Sequence, residues 1–220
     1  MSRAATQRDA RGFTLIEVLL ATVLLAAGLA LAFATLRSAT AMAQRGEAIA
    51  QRNERMRAVE GFLRRRISSA QNIAFATDPS TQRMYRFIGE PQRMRFVADL
   101  PDYLGRGGPY LHDVAVADDG ARLLISFAMV QSGQTVMESQ ARPPEPLAEG
   151  LRAVRFRYRG LDEEGGLADW QPQWRMAESL PLQVSIEIET AQGERWPPLV
   201  VSLAQGSGSN AEGQEMEPLR

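Results

Sequence analysis

The chain contains no cysteine and no lysine, and His112 is its only histidine. Without cysteine it can form no disulfide, no thiolate nucleophile and no thiolate metal site. Without lysine it can form no Schiff base with a carbonyl substrate, and all 25 of its cationic side chains are arginines. Any catalytic imidazole or imidazole metal ligand would have to be His112. These absences leave few of the residue types on which enzyme active sites are built.

Net charge is also nearly absent, at −1, but the charges are unevenly distributed. Residues 37–72 carry eight arginines and three glutamates, a net charge of +5. Residues 73–220 carry 14 arginines and 21 acidic residues, a net charge of −7. The 220 residues are enough for one domain with its own core. We therefore expect a basic segment that leads into a single, mildly acidic domain.

Charged residues are missing from a long stretch near the start of the chain. Residues 15–36 form an apolar run in which Glu17 is the only charge. At about 1.5 Å per residue the run spans roughly 33 Å, enough to cross the hydrocarbon core of a membrane. The alternative is a secretory signal peptide, whose apolar region is usually about 7–15 residues long. The greater length predicts a membrane-spanning helix over residues 13–36.

The residues at the start of this run resemble a known processing motif. Residues 11–19 read Arg-Gly-Phe-Thr-Leu-Ile-Glu-Val-Leu. This resembles the prepilin motif of type IV pilin-like proteins, in which a short basic leader ends in glycine and is followed by phenylalanine and a glutamate in fixed register. The resemblance implies that residues 1–12 are a leader, that the prepilin peptidase cleaves between Gly12 and Phe13, and that the new Phe13 amine is N-methylated.

Glu17 is the second functional residue that the resemblance implies. A carboxylate within a membrane helix is costly and is expected to have a partner. In the pilin-like family that partner is the cationic amino terminus of a neighbouring subunit, so Glu17 would pair with Phe13 of the next protein during assembly. The alternative is that Glu17 lies near the cytoplasmic interface and reaches water. The resemblance further implies a single-pass protein of the bacterial inner membrane with its C-terminal head in the periplasm.

Proline is absent before Pro79, which predicts one helix from about residue 13 to about residue 72. We expect residues 37–78 to form the amphipathic continuation of the membrane helix. Five apolar residues make a stripe at helical spacing: Ile49, Met56, Val59, Leu63 and Ile67. The stripe is expected to lie against the head and to supply helix contacts with partner subunits.

After residue 80 the apolar period changes from helical to alternating, which predicts strands. The predicted strands are residues 84–88, 93–98, 113–117, 122–130, 151–158, 182–189 and 199–203. Turns are expected at residues 89–92 and 118–120. We therefore predict an α+β fold in which a long N-terminal helix packs on a mostly antiparallel β-sheet head of residues 79–204. Residues 205–220 are small, polar and acidic and are expected to be disordered.

Four features of the head and the helix end have both a functional and a structural interpretation. Arg64, Arg65 and Arg66 could bind nucleic acid, but few aromatic residues accompany them, and a solvated helix end is preferred. His112 is interpreted as a loop histidine without a catalytic role. Residues 162–165, Asp-Glu-Glu-Gly, could bind calcium, but a turn between strands explains them. Trp170, Trp174 and Trp196 favour packing over an interface.

The head resembles one branch of the pilin-like proteins. The shared order is residues 150–158 (Gly-Leu-Arg-Ala-Val-Arg-Phe-Arg-Tyr), an acidic glycine-containing turn, Trp170 and Trp174, a Leu-Pro step at residues 180–181, and Trp196. This order is similar to that of the J-type minor pseudopilins of type II secretion. The resemblance covers residues 11 to about 204, and Gln183 and the acidic tail depart from it.

The resemblance implies a non-enzymatic protein with no catalytic residue, cofactor or metal and with no nucleic acid partner. It would lie at the tip of a short periplasmic pseudopilus with the I- and K-type minor pseudopilins and beside the H-type, and the major pseudopilin would be a further partner. The tip would prime assembly and push or select folded exported proteins toward the outer-membrane channel. The prepilin peptidase, the inner membrane and the exported proteins complete the implied partners.

Two alternatives remain at this point. A minor pilin of a type IV pilus would serve motility, adhesion or DNA uptake and would form surface-exposed fibres. DNA uptake would require a basic head, which the charge of −7 from residue 73 onward argues against. A membrane-tethered enzyme would lose its activity when one acid or His112 is changed, whereas Glu17 would be dispensable.

Overall fold

The computed structural model describes residues 13–100, 107–136 and 142–204. It divides into two units, Met1–Arg55 and Met56–Arg220. The predicted leader (residues 1–12) and the predicted acidic tail (residues 205–220) lie outside the described residues, and so does Gly12.

The first element is a single α-helix, α1 (Leu15–Ser68). Alanine and leucine have high helix propensity and dominate its first half. Residues 13–40 are exposed along their whole length. An 18-residue window of α1 has a mean hydropathy of 2.4, and none of it is buried. Its length and composition are therefore those of a helix that can cross a membrane.

The helix ends earlier than the sequence predicts. Ser68 is its last residue, so the predicted continuation to residue 78 is wrong. The backbone N–H of Gln71 donates to the Val97 carbonyl at 2.7 Å, and that of Phe75 donates to the Tyr85 carbonyl at 2.9 Å. These amides bond to sheet residues and are no longer available to a helix.

A short turn around Pro79 follows this segment. The Asp78 carboxylate accepts hydrogen bonds from the Ser80 hydroxyl at 2.6 Å and from the backbone N–H groups of Ser80 and Thr81 at 2.8 and 3.1 Å. These bonds, led by the one from the Ser80 hydroxyl, lower the pKa of Asp78 to about 2. The ionised carboxylate thus holds the turn closed.

Eleven strands follow in the described residues: β1 (Ala76–Thr77), β2 (Met84–Tyr85), β3 (Phe87–Gly89), β4 (Arg93–Asp99), β5 (Pro109–Val116), β6 (Arg122–Gln131), β7 (Gln134–Val136), β8 (Glu145–Glu149), β9 (Leu151–Arg159), β10 (Gln183–Thr190) and β11 (Leu199–Ser202). Every predicted strand region contains a strand. The region 84–88 is interrupted at Arg86, whose N–H donates to the Ala177 carbonyl at 2.8 Å. Strand β5 begins four residues before its prediction, and β1, β7 and β8 were not predicted.

All strand pairings are antiparallel in the described residues. The larger sheet has the order β3-β4-β5-β6-β7, and β8 pairs with β6 beside β7. A three-stranded sheet has the order β11-β10-β9, and β1 pairs with β2. The α+β class with a long helix and antiparallel sheets is therefore confirmed.

The main core joins the last turns of α1 to both sheets. Leu63 and Ile67 of α1 are buried with Phe96 of the larger sheet and with Phe156 and Ile186 of the three-stranded sheet. A second cluster lies on the other face of the larger sheet and consists of Phe75, Val97, Leu111 and Val130. Phe96 and Val97 are successive strand residues, so their side chains point to opposite faces. Strand β4 is consequently buried on both sides.

Candidate functional site

Thr14 caps the start of α1, directly before the apolar run. Its hydroxyl oxygen accepts a hydrogen bond from the backbone N–H of Glu17 at 3.3 Å. Its carbonyl oxygen accepts from the N–H groups of Glu17 at 3.1 Å and Val18 at 3.3 Å. Thr14 and Glu17 have the spacing of a capping box, and a carboxylate in the first turn is favoured by the helix dipole. The sequence prediction missed Thr14, although Thr-x-x-Glu before an apolar run is a recognisable helix start.

Phe13 and Glu17 lie on the same side of the helix start. Both line one shallow surface depression, together with Val18, Ala21 and Leu25. Phe13 is 81% exposed, and no ion pair joins the Glu17 carboxylate to another of the described residues. The geometry places an exposed carboxylate one helical turn from the predicted mature amino terminus.

The residues of the apolar stripe on α1 lie in two different environments, one buried and one exposed. Leu63 and Ile67 are 1% and 0% exposed and belong to the main core, and Val59 packs against that core. The prediction that the stripe lies against the head is confirmed for Val59, Leu63 and Ile67. Because the head covers Leu63 and Ile67, the prediction that these two residues contact a partner is wrong. Ile49 is 56% exposed, and Met56 is half-buried. These two residues remain predicted contacts with a partner.

The arginines at the end of α1 hold the helix to the sheets. Arg64 donates from Nη1 to the Val200 carbonyl at 3.0 Å, and Arg66 donates from Nη1 to the Asp99 carbonyl at 3.1 Å. The Arg66 guanidinium also lies 5.6 Å from the centre of the Phe62 ring. The interpretation as a solvated helix end agrees with the exposure of Arg64 and Arg65, whereas Arg66 is half-buried. The contacts of Arg64 and Arg66 give these two arginines a structural role.

His112 lies in the middle of β5 and is fully buried, so its interpretation as a loop residue is wrong. Its cross-strand neighbours are Phe96 and Phe127, whose ring centres lie 5.3 and 4.9 Å away. The His112 Nδ1 is 3.0 Å from the Tyr110 carbonyl oxygen. Because a carbonyl can only accept, this nitrogen carries the proton and donates. His112 is a member of an aromatic row across the larger sheet.

The environment of His112 favours its neutral form. Burial lowers the pKa of His112 to about 4, and the Arg66 guanidinium acts in the same direction, whereas the hydrogen bond to Tyr110 and the Asp99 carboxylate oppose the shift. Its Nε2 atom is buried without a hydrogen-bond partner in the described part of the chain. An imidazole enclosed in this way cannot reach a substrate in solution.

The acidic turn at residues 162–166 is organised by its own backbone. The Asp162 carboxylate accepts hydrogen bonds from the N–H groups of Glu164 at 3.1 Å and Gly166 at 2.6 Å. Within the described ranges, no group of three or more His, Asp or Glu side chains is arranged to hold a metal ion. The hydrogen bonds account for the turn as a connection between strands.

Trp174 fastens the loop between β9 and β10 to the larger sheet. It is 7% exposed, its backbone N–H donates to the Gly89 carbonyl at 2.9 Å, and its indole N–H donates to the Ser179 carbonyl at 2.8 Å. Trp196 packs in part against the main core. The packing interpretation is confirmed for both residues.

Trp170 belongs to a polar row on the three-stranded sheet. The Arg159 guanidinium lies 4.4 Å from the centre of the Trp170 ring. Arg159 donates from Nε to the Gln183 side-chain oxygen at 2.8 Å, and the Gln183 amide donates to the Ser202 hydroxyl at 3.1 Å. Gln183, which departs from the family pattern, thus links three strands through its side chain.

Comparison with known proteins gives matches over most of the chain. One chain of the crystal structure of the GspK-GspI-GspJ complex from the enterotoxigenic Escherichia coli Type 2 Secretion System is similar, with a TM-score of 0.47 and 14% identity, over 68% of this chain and 95% of that chain. The Type II secretion system protein J of Xanthomonas campestris pv. campestris is 60% identical over 208 residues, which cover 93% of this chain and 98% of that protein. The "Prokaryotic N-terminal methylation motif" matches residues 7–33, and the family "Type II secretion system (T2SS), protein J" matches residues 34–201. The chain belongs to the type II secretion system protein J family, the J-type minor pseudopilins.

Proposed function

We propose that this minor pseudopilin is part of the tip complex of the pseudopilus, where it primes assembly and supports the export of folded proteins across the outer membrane. The observation that carries the proposal is the family match over residues 34–201 on the same chain as the methylation motif of residues 7–33. The family match favours type II secretion over a type IV pilus. The I-, K- and H-type minor pseudopilins and the major pseudopilin are the proposed partners.

The proposed location follows from the first element. Helix α1 crosses the inner membrane once, with its N-terminal end in the cytoplasm and the β-rich head in the periplasm. The apolar, fully exposed residues at the start of α1 support this arrangement, because such a surface is stable only in lipid or against other helices.

Processing by the prepilin peptidase is the first step of the proposed pathway. Cleavage between Gly12 and Phe13 would create a mature chain whose Phe13 amine is then methylated. The support is the matched methylation motif and the exposure of Phe13. Mass spectrometry of the protein purified from its own membranes should find a mature chain that starts at methylated Phe13. An intact chain that still starts at Met1 would refute this step.

Pairing between neighbouring subunits is the second step. The Glu17 carboxylate of one subunit would bind the methylated Phe13 amine of the next, which requires that the carboxylate have no ion-pair partner within its own chain. No such partner is present among the described residues. Within a membrane an unpaired carboxylate costs about 2.5–3.5 kcal/mol, so pairing between subunits would be strongly favoured.

Substitution of Glu17 tests the pairing step. We expect Glu17→Ala and Glu17→Gln to be cleaved normally and to lower secretion by at least about tenfold, the factor that corresponds to about 1.4 kcal/mol. Glu17→Gln keeps the size of the side chain and removes only its charge. Thr22→Ala is the matched control, because Thr22 lines the same face and carries no charge. Normal secretion by Glu17→Ala would refute the pairing.

The exposed part of the stripe is the proposed contact with another pseudopilin helix. Ile49 is 56% exposed and makes no contribution to either core cluster. We expect Ile49→Glu to reduce co-purification of the full-length chain with the I- and K-type proteins from solubilised membranes. Gln51→Glu adds the same charge on a different side of the helix and should leave co-purification unchanged. Equal co-purification by both variants would exclude Ile49 from the interface.

The head is proposed to act by contact with its partners and with exported proteins, not by catalysis. Its only histidine is enclosed in the core. Several of its carboxylates are held in ion pairs with arginines, such as Asp113 with Arg93 at 2.5 Å and Glu187 with Arg155 at 3.6 Å. Retained secretion by His112→Phe at neutral pH would support a role without an imidazole, whereas complete loss with an intact fold would contradict it.

A further inference from the structure

A pocket of about 290 Å³ opens on the outward face of the three-stranded sheet. Its apolar lining includes Ala153, Trp196 and Pro198. Ala153 alternates along β9 with Val154, which lies in the main core, so the Ala153 side chain lies on the opposite face of the sheet. Ile188 and Trp196 also line the pocket and connect it to the main core. An apolar concavity of this kind on a sheet face can receive one or two apolar side chains of a ligand.

Two arginines and two glutamates line the pocket, Arg155, Arg195, Glu187 and Glu189, and a third arginine, Arg152, lies beside the lining and pairs with Glu189. Arg155 pairs with Glu187 at 3.6 Å, whereas Glu189 is shared by Arg152 at 3.3 Å and Arg195 at 3.7 Å. The three arginine side chains are 62–83% exposed. Three guanidiniums face two carboxylates, so the rim can accept a further carboxylate without first losing an ion pair. The pocket therefore fits an apolar segment with acidic neighbours.

We propose that this pocket binds a segment of its own chain, residues 215–219. The segment reads Glu-Met-Glu-Pro-Leu, which places two apolar side chains, Met216 and Leu219, beside two carboxylates. It lies outside the described residues. The apolar side chains match the lining of the pocket, and the carboxylates match the excess guanidinium of its rim. The docked segment would cover this face of the head and compete with any other protein that binds there.

The chain between the pocket and the segment is long enough for this contact. Ala204 lies six residues after Pro198, so the two are at most roughly 20 Å apart at about 3.3 Å per residue. Residues 205–210 read Gln-Gly-Ser-Gly-Ser-Asn, a composition rich in glycine and serine. Met216 is twelve residues after Ala204, and such a linker has a root-mean-square length of roughly 20 Å. The linker length matches the span, which maximises the local concentration of the segment.

Disulfide trapping in the full-length chain tests the proposal, because the protein has no cysteine of its own. Pro198→Cys places a thiol in the pocket, and Gln214→Cys places one directly before the segment. The doubly substituted chain in detergent micelles is oxidised at low protein concentration, and the cross-linked peptides are identified by mass spectrometry. The matched control keeps both cysteines and the tail length and adds Met216→Ser and Leu219→Ser.

We expect an intramolecular disulfide that forms at least about fivefold faster than in the control, since partial burial of an apolar side chain is worth such a factor. A second variant, Arg155→Glu with Arg195→Glu, should slow the reaction, and so should about 1 M salt, which shortens the Debye length to about 3 Å. Equal rates in the parent and the Met216→Ser, Leu219→Ser control would overturn the proposal. Disulfides that form only between two chains would overturn it as well.

Discussion

The two units place the same kinds of side chain in opposite environments. Phe33 in α1 is 68% exposed, whereas Phe156 in β9 is 1% exposed. Leu24 and Leu63 differ in the same way, at 64% and 1%. The large apolar side chains of the first unit that the structure describes are exposed, as is typical of a surface that meets lipid or neighbouring helices. Apolar residues of the head are covered by two sheets and one helix end, so the head carries its own stability.

This difference separates residues that matter for assembly from residues that matter for folding. Fully burying one phenylalanine or leucine is worth about 1.5–3 kcal/mol. The head gains this free energy on folding, whereas the exposed apolar side chains of the first unit gain none of it from the other residues that the structure describes. Substitutions in the two regions should therefore affect different measurements. All three tryptophans lie in the head, so fluorescence during urea unfolding in micelles reports on the head alone.

The largest expected effect on head stability comes from truncating a buried ring. We expect Phe156→Ala to lower the free energy of unfolding of the head by about 3–5 kcal/mol, because a large cavity would remain in the main core. Phe33→Ala makes the same chemical change at an exposed position and should leave head unfolding unchanged. A comparable loss for Phe33→Ala would show that the stability of the head depends on the first unit.

A smaller effect is expected from pH, through His112. Its pKa in the folded head is lowered to about 4, against about 6.5 in an unfolded chain. The unfolded state therefore binds more protons between these values, and stability falls as pH decreases from about 6.5 to about 4. The full shift corresponds to roughly 3 kcal/mol. Above about pH 6.5 the imidazole is neutral in both the folded and the unfolded state, so His112 no longer makes stability depend on pH.

Comparison with His112→Phe isolates this contribution, because the carboxylates of the head titrate in both proteins. We expect the free energy of unfolding of the parent to fall relative to that of His112→Phe between pH 7 and pH 4.5, as measured by urea unfolding. The single histidine also gives one resolved imidazole signal in a nuclear magnetic resonance titration. A signal that titrates near pH 6.5 in the folded protein would contradict the buried environment.

The smallest expected effect concerns two glycines. A Cβ atom at Gly89 would lie 2.6 Å from the Tyr158 ring, which is itself fixed by a hydrogen bond from its hydroxyl to the Glu90 carbonyl at 2.8 Å. We expect Gly89→Ala to destabilise the head by about 1–3 kcal/mol through this overpacking. A Cβ atom at Gly46 would meet nothing within 4 Å. Gly46→Ala should strengthen its helix locally by roughly 1 kcal/mol and leave head unfolding unchanged. A destabilised head in this variant would contradict the conclusion that residues of the first unit do not affect the stability of the head.

Strands with one solvated face were predictable, and strands buried on both faces were less so. In β9 the buried residues alternate with exposed arginines, and the predicted strand is one residue short. In β5 both faces are buried around His112, so the alternation is lost, and the two glycines before it, Gly107 and Gly108, are typical of a loop. Both glycines do adopt positive φ, at 73° and 89°, but the strand begins immediately after them.

Short strands escaped prediction for a different reason. Strands β1 and β7 have two and three residues, too few to show any period. Strand β8 contains Pro146, a residue that argues against a strand unless it lies at a sheet edge. β8 has one strand partner, β6, among the described residues, which is the position that tolerates proline.

The sequence by itself determined a helix long and apolar enough to cross a membrane and the candidate processing and pairing residues Gly12, Phe13 and Glu17, because these depend on composition and on residues within one or two helical turns of each other. The family resemblance also came from the sequence, through the order of residues along the head. Tertiary structure decided the end of α1, the burial of Leu63 and Ile67, and the place of His112 between two aromatic rings. Those features depend on partners more than ten residues away in sequence, such as Val97 for Gln71. Pairing over such distances is selected by the packing of the whole head, and no local pattern specifies it.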